Sequence, residues 1–96
     1  MALTTTKIRR ELAKMVLSTS HACTVRNDAI KNLTSYEKSK NGDVRLEMLF
    51  AVYGQLSWLS DHVRMINDRQ VLPSERVFLA DALTFIFKTY EKQRSV

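Results

Sequence analysis

The chain has one cysteine, one proline and two glycines among its 96 residues. A lone thiol excludes an internal disulfide, and beside four methionines it suits a reducing, intracellular setting, so a cytoplasmic location is expected. So few turn formers exclude a turn-rich β-sandwich or barrel. No apolar run approaches the roughly 18 residues of a membrane span. No 7–15-residue apolar block follows the first basic residues, which argues against a secretory signal. The basic, hydroxyl-rich stretch Met1 to Val25 resembles an organelle transit peptide in composition, but it reads better as an ordinary amphipathic first helix. Paired metal motifs and a phosphate-binding glycine loop are also lacking, so no cofactor or metal is expected.

What is present is a folded-domain composition, with 45% apolar and 26% charged residues. A single helical domain over residues 1–96 follows from it. The net charge of +5 is unevenly placed. Residues 1–42 hold eight bases (Lys7, Arg9, Arg10, Lys14, Arg26, Lys31, Lys38 and Lys40) against three acids, Glu11, Asp28 and Glu37. Residues 43–96 hold seven of each. Aromatics divide the other way. Tyr36 stands alone before Gly42, while Phe50, Tyr53, Trp58, Phe78, Phe85, Phe87 and Tyr90 follow it. The chain thus divides into a basic N-terminal helical segment, 1–42, and an apolar helical hairpin, 43–96.

Ile8, Leu12, Met15 and Val16 recur at three and four, which predicts a helix from Thr6 to Leu17 with one of Thr4, Thr5 or Thr6 as its cap. Ser18 to Thr24 are mediocre helix formers. Either the chain breaks there, with Thr24 capping a second helix, or one long helix runs from 6 to 39. Val25, Ala29, Leu33 and Tyr36 continue a thin apolar stripe. At Asn41-Gly42-Asp43, Gly42 is expected to end a helix in the left-handed conformation and Asp43 to cap the next, with Glu47 adding charge in its first turn.

That next helix should run from Val44 to about Asn67. Leu49, Val52, Leu56, Leu59, Val63 and Ile66 form an a/d seam along it, a core or dimer seam. Met48 to Gly54 is apolar around the whole helix. Ala51 and Gly54 lie on one face, where another helix is expected to cross closely. Leu72-Pro73-Ser74 starts the last helix, with Pro73 at its first position or Ser74 as its cap. Val77 to Phe87 is apolar except for a stripe of Asp81 and Thr84. Two such helices in so short a chain exceed what the first segment can cover. The expectation is an all-α bundle of three or four helices, paired as a homodimer that shares a core from residues 44–90.

Several side chains invite chemistry. His21, Cys23 and His62 are too few for a structural zinc site, and His21 stands at the wrong helical spacing to activate Cys23. Asp43 and Glu47 are explained by cap and first-turn roles. Asp61, Arg64 and Asp68 read as surface ion pairs, and Asp81 as part of a solvated stripe. Trp58, off the seam, is either core in the dimer or an exposed anchor for a partner, with core the preferred reading.

Lys7, Arg9, Arg10 and Lys14 form the strongest candidate contact site, fit for an acidic protein or for phosphates. The stretch Leu46 to Val63, through Glu47, Gln55, Ser57 and Leu59, resembles a helix of the TraM quorum-sensing anti-activators, which are small dimeric helical proteins. The likeness follows heptad spacing and stops there, so no residue role is carried over. The functional expectation is a non-catalytic regulator or adaptor that binds another protein. A dimeric nucleic-acid binder using the basic helix comes second, and a structural subunit of a larger assembly third.

Overall fold

A computed structural model describes residues 2–95. Four helices account for most of them: α1 (Thr5–Lys14), α2 (Ser20–Lys38), α3 (Gly42–Met65) and α4 (Pro73–Arg94). No strand occurs among the described residues. Each helix packs on its neighbours in the chain, so α3 lies between α2 and α4, and α1 rests on α2.

The Thr4 hydroxyl accepts the Lys7 amide at 3.1 Å and starts α1. Ile8 and Leu12, four residues apart on one face, are fully buried. The helix stops at Lys14, three residues short of the sequence expectation. From Met15 the backbone is extended and its side chains alternate: Met15 and Leu17 point into the core and Val16 points out. Burying two side chains in this way replaces the last helical turn. The two-helix alternative therefore holds. Thr19, not Thr24, caps α2 by accepting the Ala22 amide at 3.2 Å. The Thr24 hydroxyl instead donates to the Ser20 carbonyl inside the helix.

The α2–α3 junction also differs from expectation. Gly42 is not left-handed, because α2 ends in extended backbone at Ser39 and Gly42 opens α3. Asn41, not Asp43, is the cap, and its side chain accepts the amides of Asp43 and Val44 at 2.9 and 3.2 Å. The left-handed residue is Asn67, with φ of 47°. It ends α3 in a Schellman turn: the Asp68 amide reaches the Val63 carbonyl and the Asn67 amide reaches that of Arg64. Pro73 takes the first position of α4, and the Glu75 carboxylate reaches back to the Leu72 amide at 2.9 Å.

The seam is the core of the single chain. Leu49, Val52, Leu56, Leu59 and Val63 are buried with Leu79, Ala82 and Ile86 of α4 and Ala29 and Leu33 of α2. Ile66 is not part of it. The Schellman turn begins there, and the side chain is 44% exposed. As for the close crossing expected at Ala51 and Gly54, no described residue approaches Gly54. A Cβ added at Gly54 would meet nothing within 4 Å.

Arginines fasten the joints. Arg26 of α2 donates to the Leu12 and Met15 carbonyls at the end of α1, at 3.1 and 2.8 Å. Arg45 of α3 donates to the Tyr36 and Ser39 carbonyls at the end of α2, and its guanidinium lies 4.1 Å from the centre of the Tyr36 ring. Arg76 of α4 donates to the Asp68 carbonyl at 2.8 Å, just past the end of α3. Helices α2 and α3 thus each supply a cation to carbonyls at the end of the preceding helix, where helix geometry leaves acceptors unpaired and the dipole is negative, and α4 supplies one to the turn after α3.

Candidate protein-docking face

The basic quartet of α1 is not one surface. Arg9 turns towards α2 and forms a bidentate pair with Glu37, at 3.0 and 2.7 Å. Lys7 is half-buried. Arg10 and Lys14 are exposed, and the Lys14 ammonium lies 3.6 Å from the Glu11 carboxylate. Hydrogen bonding from Arg9 chiefly holds the Glu37 carboxyl below the usual range. Burial opposes this, and the Thr5 and Thr6 hydroxyls add to the lowering. The pair therefore stabilises the fold above the ordinary glutamate value, and that contribution is lost as pH falls through the lowered one. Glu37→Gln is expected to cost about 1 kcal/mol at neutral pH, since the pair is only partly shielded. The difference from wild type should shrink in strong acid, as read from thermal melts across pH.

Asp68 was expected in a surface ion pair with Arg64. Arg64 does pair with Asp61, at 3.0 Å. Asp68 is instead 3% exposed and binds the α1–α2 connection. It accepts the Ser18 amide and the Gln70 amide, each at 3.0 Å, and the Ser18 hydroxyl at 2.5 Å. Burial alone raises its pKa, but the Ser18 and Gln70 bonds and the charge of Arg76 outweigh it and hold the carboxyl below its usual range. A fifty-residue separation between Ser18 and Asp68 left no signal in the sequence.

Apolar surface collects elsewhere. On the outer sides of α3 and α4, Phe50 is 70% exposed, Phe87 51%, Tyr53 40% and Trp58 36%. Two ring pairs bridge the helices: Phe50 with Tyr90 at 6.4 Å and Tyr53 with Phe87 at 6.1 Å between centroids, both tilted. Between them lies a groove of about 170 Å³ lined by these four rings alone. The i, i+3 spacing of Phe50 with Tyr53, repeated by Phe87 with Tyr90, was legible in the chain. The pairing of the two sets was not.

Phe50 also walls a second, broader depression of about 400 Å³ over α2 and α3, with Gly54 at its floor and His21, Val25 and Trp58 around it. Trp58 is 36% exposed in the single chain. It is flanked by His62, stacked at 4.6 Å, and by His21, edge-on at 4.8 Å. His62 Nε2 lies 3.0 Å from the Thr19 hydroxyl. That hydroxyl oxygen also accepts the Ala22 amide. Cys23 is half-buried, its thiol directed at the Leu17 carbonyl. No group of three metal-ligating side chains comes together among the described residues. None of the described helices is long and apolar enough to cross a membrane.

The two grooves share Phe50, so they form one continuous face lacking acids, lysines and arginines in its lining. Rings on a rigid helical frame suit capture of apolar side chains, because little conformational entropy is lost when they are covered. Comparison with family models, curated proteins and solved structures finds no match to the chain.

Proposed function

We propose that this protein is a small non-catalytic helical regulator or adaptor that binds another protein and works as a homodimer. The observation that carries the reading is the continuous aromatic face of α3 and α4. Tryptophan, tyrosine and phenylalanine dominate the energetics of protein interfaces. The four most exposed rings leave roughly 400 Å² in water, taking side chains of about 200 Å² each. Covering that area is worth about 10 kcal/mol per protomer, against an association cost of roughly 4–15 kcal/mol for the pair.

The groove between the ring pairs fits an aliphatic or aromatic side chain of a partner protein. Its lining offers rings rather than carboxylates, amines or a thiol. The basic quartet gives less support to a phosphate-binding reading, because Arg9 is committed to Glu37 and the neighbouring Arg26 to helix-end carbonyls.

Sedimentation velocity at micromolar concentration tests self-association, and a dimer is expected. Partner binding is tested by capture from the native host with wild-type protein and with the double variant Tyr53→Ala, Phe87→Ala. Both side chains are substantially exposed, so the variant should keep its helicity. It should lose captured partners by on the order of thirtyfold in affinity, the usual effect of removing an interface hot spot. Equal capture by the two proteins would remove the groove as the contact site.

A further inference from the structure

A glycine in a helix interior weakens the helix, and a close neighbour over the backbone is the usual reason for one. Gly54 stands at the middle of α3, yet nothing among the described residues approaches the place its side chain would occupy. It is the floor of the broad depression, with Phe50 and Trp58 one turn away on either side. The walls hold no lysine or arginine to meet a phosphate or an acidic peptide. The hole does have a matching knob on the same helix, since Phe50 is the most exposed ring of the face. A hole and a knob one turn apart are self-complementary. Each copy can give and receive the same group about a two-fold axis.

We infer that a second copy of this chain crosses α3 at Gly54, with Phe50 of each protomer seated in the depression of the other. This rests on the homodimer proposed above and adds where the chains touch. Val25 and Ala51 beside the rings extend the apolar lining of the contact. The absent side chain lets the two α3 backbones come close, which any larger residue would prevent.

Trp58 is the only tryptophan and lines the depression, so its fluorescence reports occupancy. Wild-type protein should sediment as a dimer, and its Trp58 emission should move to the red as dilution frees the monomer. Gly54→Leu projects into open space in the single chain, so it should fold with undiminished helicity. Its dimer should dissociate on the order of thirtyfold more readily. Phe50→Ala removes the knob together with one wall of the hole. It should weaken the dimer similarly, and it decides the matter should Gly54→Leu not fold. A wild-type dimer whose dissociation constant neither variant changes overturns the crossing at Gly54 and leaves the homodimer standing. A wild-type chain that stays monomeric at micromolar concentration overturns both.

Discussion

Asp68→Ala is expected to cost about 3 kcal/mol of stability, a fall of roughly 15 °C in melting temperature for a domain of this size. Three donors converge on this buried carboxylate, from the amide and hydroxyl of Ser18 and the amide of Gln70. Removing the acceptor breaks all three bonds at once, and a hydrogen bond to a charged group is worth about 1.5–3 kcal/mol. The loss also unties the α1–α2 connection from the turn that ends α3. Ser18→Ala removes the hydroxyl bond alone and should cost about 1 kcal/mol.

Acid should act on the same joint. The folded pKa of Asp68 lies below its ordinary value, so its contribution is complete above the unfolded pKa and disappears as pH falls through the folded one. Glu37 has the same sign. Wild-type stability should therefore drop on acidification below the ordinary carboxylate range, and Asp68→Ala should show a shallower drop. Thermal melts over an acid series check this. A variant as acid-sensitive as wild type would show that the proton binds elsewhere.

Leu56→Ala should cost about 3 kcal/mol, because the lost transfer energy adds to that of a cavity that α2 and α4 cannot both collapse into. Leu56 has no exposed surface and lies on the face of α3 that makes the core. Ile66→Ala should cost well under 1 kcal/mol, since that side chain is already 44% in water. The two residues read alike in the heptad pattern, so denaturant unfolding of both variants separates pattern from placement. Equal costs would mean that the seam continues through Ile66 and that the turn at Asn67 is misplaced.

Particular residues show how far the sequence could be read. The spacing of Leu49, Val52, Leu56, Leu59 and Val63 identified the buried face of α3, and Pro73 marked the start of α4. Helix ends were harder. Thr19 and Thr24 are chemically equal as caps, and the choice fell to Thr19 because Met15 and Leu17 enter the core in extended backbone. Asn41 and Asp43 compete in the same way, with Asn41 the cap. The basic quartet of α1 looked like one surface because charge and helical spacing say nothing of a partner such as Glu37 on another helix.

The sequence alone left open whether residues 6–39 form one helix or two, and it determined an all-helical chain, the approximate extent of its last two helices and most of the stripe that α3 buries. These follow from hydrogen bonds and side-chain periods that span at most a few residues. Only the tertiary structure decided the uses of the polar and aromatic groups. Arg26 and Arg45 serve carbonyls of the preceding helix, and Asp68 serves the amide of a residue fifty positions away. Four rings from two helices make one groove, and Gly54 is left uncovered. Each of these depends on which distant elements the fold brings together, and no local pattern carries that information.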